Sequence, residues 1–150
     1  MTQRTGPSAA ECADRPFAEL AVGTRAERRC LVGPEAHGAL VDVFGDRSPI
    51  HVDEDHALRS GFAGRVVHGA VLNCFLSEFV GMALPGARAL LQAVDLRYLR
   101  PVYLGDELVL EGEVSQRVET QRVVVLSVTF RKAPSGEVVA RGRAQVGVRE

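Results

Sequence analysis

The stretch Gly69-Ala70-Val71-Leu72-Asn73-Cys74-Phe75-Leu76-Ser77-Glu78-Phe79-Val80-Gly81-Met82-Ala83 is apolar on nearly every side. Only Asn73, Ser77 and Glu78 interrupt it, and Asn73, Ser77 and Gly81 share one helical stripe. A helix that is apolar all round is a buried helix. At 1.5 Å per residue it spans only about 22 Å, and its polar stripe rules out a bilayer span, which needs roughly 20 apolar residues in succession. Leu84-Pro85-Gly86 terminates it. The fold is therefore read as one central helix that the rest of the chain must cover.

Downstream, everything reads as strand. Glu107 to Val118 alternates, with Leu108, Leu110, Val114 and Val118 opposite Glu107, Glu111, Glu113 and Arg117. Val138 to Val148 sets Val138, Ala140, Ala144, Val146 and Val148 against Arg141, Arg143 and Gln145. Arg122 to Lys132 is a β-branched run, and Ala87 to Leu99 is a long strand stopped by Pro101. In that long strand Leu90, Val94, Leu96 and Tyr98 are expected on one face and Leu91, Ala93 and Leu99 on the other. Such alternation predicts an antiparallel sheet with one buried and one wetter face. Gly105-Asp106, Glu119-Thr120 and Pro134-Ser135-Gly136 look like hairpin links. Pattern alone gives fold class α+β, with an antiparallel sheet wrapped around one long central helix.

Upstream, Thr24 to Leu31 is a first strand, broken by Gly33-Pro34. Ala36, Ala39, Leu40, Val43 and Phe44 recur at helical spacing and predict an amphipathic helix over 35–44. Asp53 can cap a second short helix that Gly61 ends, with Glu54 and Asp55 in its first turn. Between the two lies Gly45-Asp46-Arg47-Ser48-Pro49-Ile50-His51. Pro49 pushes Ser48 out of the α region, so Asp46 and His51 are expected on a stiff, non-helical loop where they converge. His68-Gly69 then opens the central helix, whose first N–H groups suit a carbonyl oxygen that gains negative charge. An acid/base pair followed by such a donor is a kit for adding water to, or removing it from, a polarised acyl compound.

The octapeptide Asp46-Arg47-Ser48-Pro49-Ile50-His51-Val52-Asp53, then Ala57, Gly61-Phe62 and His68-Gly69, resembles the hydratase signature of the MaoC-like family. That family includes the (R)-specific enoyl-CoA hydratases and related dehydratases. Gly81-Met82-Ala83-Leu84-Pro85-Gly86 and Arg100-Pro101-Val102-Tyr103-Leu104-Gly105-Asp106 resemble it too, so the likeness runs from about residue 23 to 148. The resemblance implies a hot-dog fold. It also implies that Asp46 and His51 hold and activate the reacting water, and that Gly69 and Ser48 lie with the substrate. The substrate would be an enoyl or 3-hydroxyacyl thioester of coenzyme A or an acyl carrier protein, with no cofactor and no metal. The family usually has Asn where this chain has Ser48.

A hot-dog thioesterase, with Glu78 as the helix carboxylate, and a non-catalytic acyl-binding member of the fold are the competing readings. His51-Val52-Asp53-Glu54-Asp55-His56 also partly resembles a His-x-His-x-Asp-His metal motif, but the middle histidine is Asp53 and its acidic run suits a helix start. His68 reads as a packing residue, and His37 and His56 as surface residues of short helices.

The 150 residues fit one domain, expected over 17–150 behind a flexible tail over 1–16. A net charge of −1 gives no reason to expect nucleic acid or an anionic membrane as partner. Three cysteines with no Cys-x-x-Cys pair, and no apolar leader, predict reduced thiols and a cytoplasmic location. Exposed sheet edges, and more apolar surface on 87–99 than one helix covers, predict a homodimer or a dimer of dimers.

Overall fold

The computed structural model describes residues 11–150. In chain order it contains β1 (Arg25–Leu31), α1 (Pro34–Phe44), α2 (Pro49–Val52), α3 (Glu54–Arg59), α4 (Gly69–Met82), β2 (Ala89–Tyr98), β3 (Glu107–Val118), β4 (Val123–Lys132) and β5 (Val138–Val148). The five strands form one antiparallel sheet in the order β1-β3-β4-β5-β2. Its inner face closes on α4. Leu108, Leu110 and Val114 of β3, Leu126 and Phe130 of β4, and Ala140, Ala144 and Val146 of β5 are buried with Leu72, Leu76, Phe79 and Val80 of the helix. Gly112 lets the sheet curl this tightly, because a Cβ there would lie 2.6 Å from the Phe79 ring. The α+β class and the sheet wrapped on a central helix stand as the alternation required.

Three local expectations are corrected. Gly105-Asp106 is no hairpin, since β2 and β3 are not neighbours. Its backbone pairs with the end of β1 instead, Gly105 N–H to Val32 O at 2.8 Å and Val32 N–H to Asp106 O at 3.1 Å. A bulge at Ser115 shifts the register of β3 and reverses the alternation beyond it. Val118 is therefore exposed, while the Arg117 guanidinium turns inward to the Leu20 carbonyl at 3.1 Å and stacks 4.2 Å from the Phe17 ring centroid. A second register shift, between Leu91 and Ala93, puts Ala89, Leu91 and Leu96 against the core and leaves Leu90 outside that face.

The expected tail divides. Residues 1–10 lie outside the described residues. Residues 12–14 strap the end of α4, with Ala13 N–H on Met82 O at 2.9 Å, the Cys12 thiol on Gly81 O at 3.2 Å, and Asp14 paired with Arg88 at 2.6 Å. The central helix is also less enclosed than its sequence implied. Asn73, Cys74 and Ser77 form an exposed strip along it. Among the described residues no helix is long and apolar enough to cross a membrane.

Candidate active site

Gly45 ends α1 in the left-handed conformation, φ 71°, and turns the chain toward Asp46. Ser48 is extended, φ −52° and ψ 131°, as the following proline demands. Pro49 then starts α2, so His51 sits on a single helical turn rather than on the non-helical loop expected from the sequence. Asp53 caps α3 by accepting from His56 N–H at 2.9 Å, which assigns the acidic run to a helix start.

These turns bring Asp46, His51 and His68 together, with one carboxylate oxygen and one imidazole nitrogen of each ring all within 4.8 Å of one another. The hydrogen bonds fix which ring nitrogens carry protons. A carbonyl oxygen only accepts, so His51 Nδ1–H donates to Val66 O at 2.6 Å. Neutral His51 is thereby left with its lone pair on Nε2. By the same rule His68 Nε2–H donates to Asp46 O at 3.0 Å, with the Asp46 carboxylate 3.5 Å away. The Asp46 carboxylate in turn accepts from Ser48 N–H at 3.1 Å. Ser48 thus contributes its backbone N–H, not its side chain, to holding Asp46. With His68 Nε2 serving as a donor, the cluster offers a metal ion one carboxylate and one imidazole nitrogen. Such a pair is better suited to gripping and deprotonating a water than to completing a coordination shell.

Two histidines that read as bystanders belong to this cluster. His68, 3% exposed, stacks on the His51 ring with centroids 3.8 Å apart. His37, expected on the surface of α1, is 4% exposed, lies 5.0 Å from the His68 ring and donates from Nε2 to His51 O at 2.9 Å. Its signal in the sequence was the four-residue step to Val41, the other buried residue of α1. Burial holds the His37 imidazole below its usual value; the His51 carbonyl opposes that, and His68, Arg65 and His51 add to it. The remaining nitrogen of each buried ring, Nδ1 of His37 and of His68, has no protein partner.

Gly69 begins α4 immediately after His68, and its N–H belongs to the first turn, where no intrahelical acceptor exists. The place a side chain would take there is filled by the Tyr98 ring, whose Cζ would lie 2.9 Å from a Cβ. Of the apolar stripe expected on α1, only Leu40 packs against the core. Ala36, Ala39, Leu40, Val43 and Phe44 wall an open groove of about 760 Å³ against β1 and α4, with Phe44 75% exposed. In that groove Glu78 is tied to Arg28 at 2.9 Å. The Cys30 thiol is pushed up to about 12, first by burial and then by Glu78, and stays protonated at neutral pH.

Comparison with known proteins gives the family and the fold. Residues 39–133 match the family model described as a MaoC like domain. The chain is 30% identical over 132 residues to a 3-hydroxybutyryl-CoA dehydratase of Methylorubrum extorquens, covering 88% of this chain and 83% of that one. It is likewise 30% identical over 127 residues to an (R)-specific enoyl-CoA hydratase of Aeromonas caviae, covering 85% and 94%. The solved structure of the unliganded R-hydratase PhaJ1 from Pseudomonas aeruginosa superposes with a TM-score of 0.85 at 30% identity, over 93% of this chain and 88% of that one. The fold is the hot-dog fold of these hydratases, and the chain belongs to the MaoC-like dehydratase family of hydratases and dehydratases.

Proposed function

We propose that the protein hydrates enoyl thioesters, or dehydrates 3-hydroxyacyl thioesters, carried on coenzyme A or an acyl carrier protein. The observation that carries this reading is the His51 ring, locked by Nδ1–H on Val66 O, with its bare Nε2 and the Asp46 carboxylate beside the first turn of α4. In the hydration direction a water held by the pair gives one proton to His51 Nε2 as its oxygen bonds to the β-carbon. The electrons of the carbon–carbon double bond move toward the thioester oxygen at Gly69 N–H. The pair then returns one proton to the α-carbon, so that one water has been added and the pair is restored. The (R)-specific hydratase and the 3-hydroxybutyryl-CoA dehydratase among the relatives support the same chemistry.

A panel of enoyl and 3-hydroxyacyl thioesters on both carriers tests the proposal, read by loss or gain of the conjugated thioester absorbance. No turnover by wild type, with acyl-thioester affinity retained, would make the protein an acyl binder instead. The thioesterase reading loses support because Glu78, its required carboxylate, is held by Arg28 at 2.9 Å.

The working unit is proposed to be a two-fold dimer. Strand β2 sits at the sheet edge with Leu90 53% exposed and Val94 40% exposed, next to the open strip of α4. An apolar edge strand of this kind is a template for a second copy. Sedimentation on dilution should show dissociation and loss of activity together; a fully active monomer would contradict it.

A further inference from the structure

The Tyr98 side chain does more than fill the space beside Gly69. The ring atom nearest to a Cβ at position 69 is Cζ at 2.9 Å, ahead of Cε1 at 3.1 Å and Cε2 at 3.2 Å. The hydroxyl-bearing end of the ring therefore covers the helix start, with the phenol oxygen one bond further out. That oxygen accepts a hydrogen bond from Asn73 Nδ2 at 2.8 Å, one helical turn into α4. An amide nitrogen can only donate, so Asn73 occupies a lone pair of the phenol and leaves the O–H proton to point elsewhere. The side chain is half-exposed, and its proton is not committed to Asn73.

We propose that Tyr98 O–H is a catalytic donor to the thioester oxygen, acting beside Gly69 N–H, and that Asn73 is the positioning residue that aims it. This rests on the hydratase/dehydratase reading above. Charge grows on that oxygen as water adds across the double bond, so a second fixed donor acts mainly in the transition state. The same geometry gives Gly69 a physical reason to be glycine, since any side chain would displace the phenol.

Two variants separate this role from mere packing. Tyr98→Phe keeps the ring on Gly69 and removes only the hydroxyl; kcat is expected to fall roughly 10- to 100-fold, with KM changed less than about threefold. Asn73→Asp keeps shape but replaces the donor by an acceptor that draws the phenol proton to itself, so it should lower kcat to a similar degree. A readout free of turnover uses the Asp46→Asn variant with a bound conjugated enoyl thioester. Its ultraviolet band should shift to the red through polarisation of the carbonyl, and Tyr98→Phe in that background should remove much of the shift. Unchanged kcat and an unchanged band in Tyr98→Phe, while Asp46→Asn is inactive, would overturn the proposal and leave the hydratase reading standing. A raised KM with unchanged kcat would overturn it as well, by making Tyr98 a wall of the site. Full activity in Asp46→Asn would bring down the underlying reading and this one with it.

Discussion

Two histidine environments lie one ring's thickness apart. His51 is partly exposed on the single turn of α2, with one nitrogen anchored and the other free. His68 and His37 beneath it are buried, and each spends its Nε2–H on the backbone of the reactive loop, at Asp46 O and His51 O. One residue type is thus used for two jobs. The exposed ring has a lone pair to offer, while the buried rings keep Asp46 and His51 where they are. The buried rings also keep an Nδ1 with no protein partner, so the difference is one of exposure to a ligand, and it predicts that substitutions should lose function in proportion to how directly they touch the exposed nitrogen.

The largest effects belong to the exposed pair. Asp46→Asn and His51→Ala should each lower kcat by about 10² to 10⁴, because each removes a partner in the proposed proton transfer. The two act as a unit, so the double variant should be little worse than either alone. Additive losses in steady-state kinetics would break the pairing.

Next comes the support. His68→Phe preserves a ring stacked on His51 but deletes the N–H that holds Asp46 O at 3.0 Å. A net hydrogen bond is worth about 1 kcal/mol, so kcat should fall by up to about tenfold with a modest drop in Tm. A loss as large as that of His51→Ala would mean that His68 itself handles a proton.

The contrast between the two environments explains what the sequence could and could not say. The central helix and the strands β3 to β5 were legible because burial on one face imposes a period that the residues display directly, as in Leu108, Leu110 and Val114. The bulges at Ser115 and near Gln92 were not, because one extra residue flips every side chain beyond it and leaves no mark in composition. Asp46, His51 and Gly69 stand out in a motif, yet the bonds that hold the pair run to backbone carbonyls, His51 to Val66 O and His68 to Asp46 O, and any residue type supplies those. His37 was misread as a surface residue for a related reason. The visible apolar stripe of α1 faces an open groove, so the helix buries a different edge, the one bearing His37 and Val41. Tyr98 was visible only as an apolar residue on a long strand.

Burial of His37 also predicts a pH signature. His37 is held below its ordinary value of 6.5 chiefly by burial, so the unfolded chain binds a proton more readily than the folded one. Its contribution to stability is complete above about pH 6.5 and is lost as pH falls through its lowered folded value. Wild-type Tm should decline from pH 7 toward pH 5, and His37→Gln, which retains an N–H for His51 O, should flatten that slope. An unchanged slope in the variant would place the acid sensitivity elsewhere.

The smallest effect is expected at the position where this chain departs from its family. Ser48 stands where the family usually has Asn, and a lost side-chain bond would be the natural worry. The Asp46 carboxylate, however, is held by the Ser48 backbone N–H at 3.1 Å, a bond that every residue except proline can make. The extended conformation at Ser48 follows from Pro49 and not from the serine side chain. The residue is also exposed, so an added carboxamide has room and can find water. Ser48→Asn should therefore alter kcat by less than about threefold and leave Tm within roughly a degree, as expected for a surface change worth no more than about 0.5 kcal/mol. A gain of tenfold or more would show that the side chain at 48, and not the backbone alone, sets the position of Asp46, and would move Ser48 from the quiet side of the comparison to the reactive one.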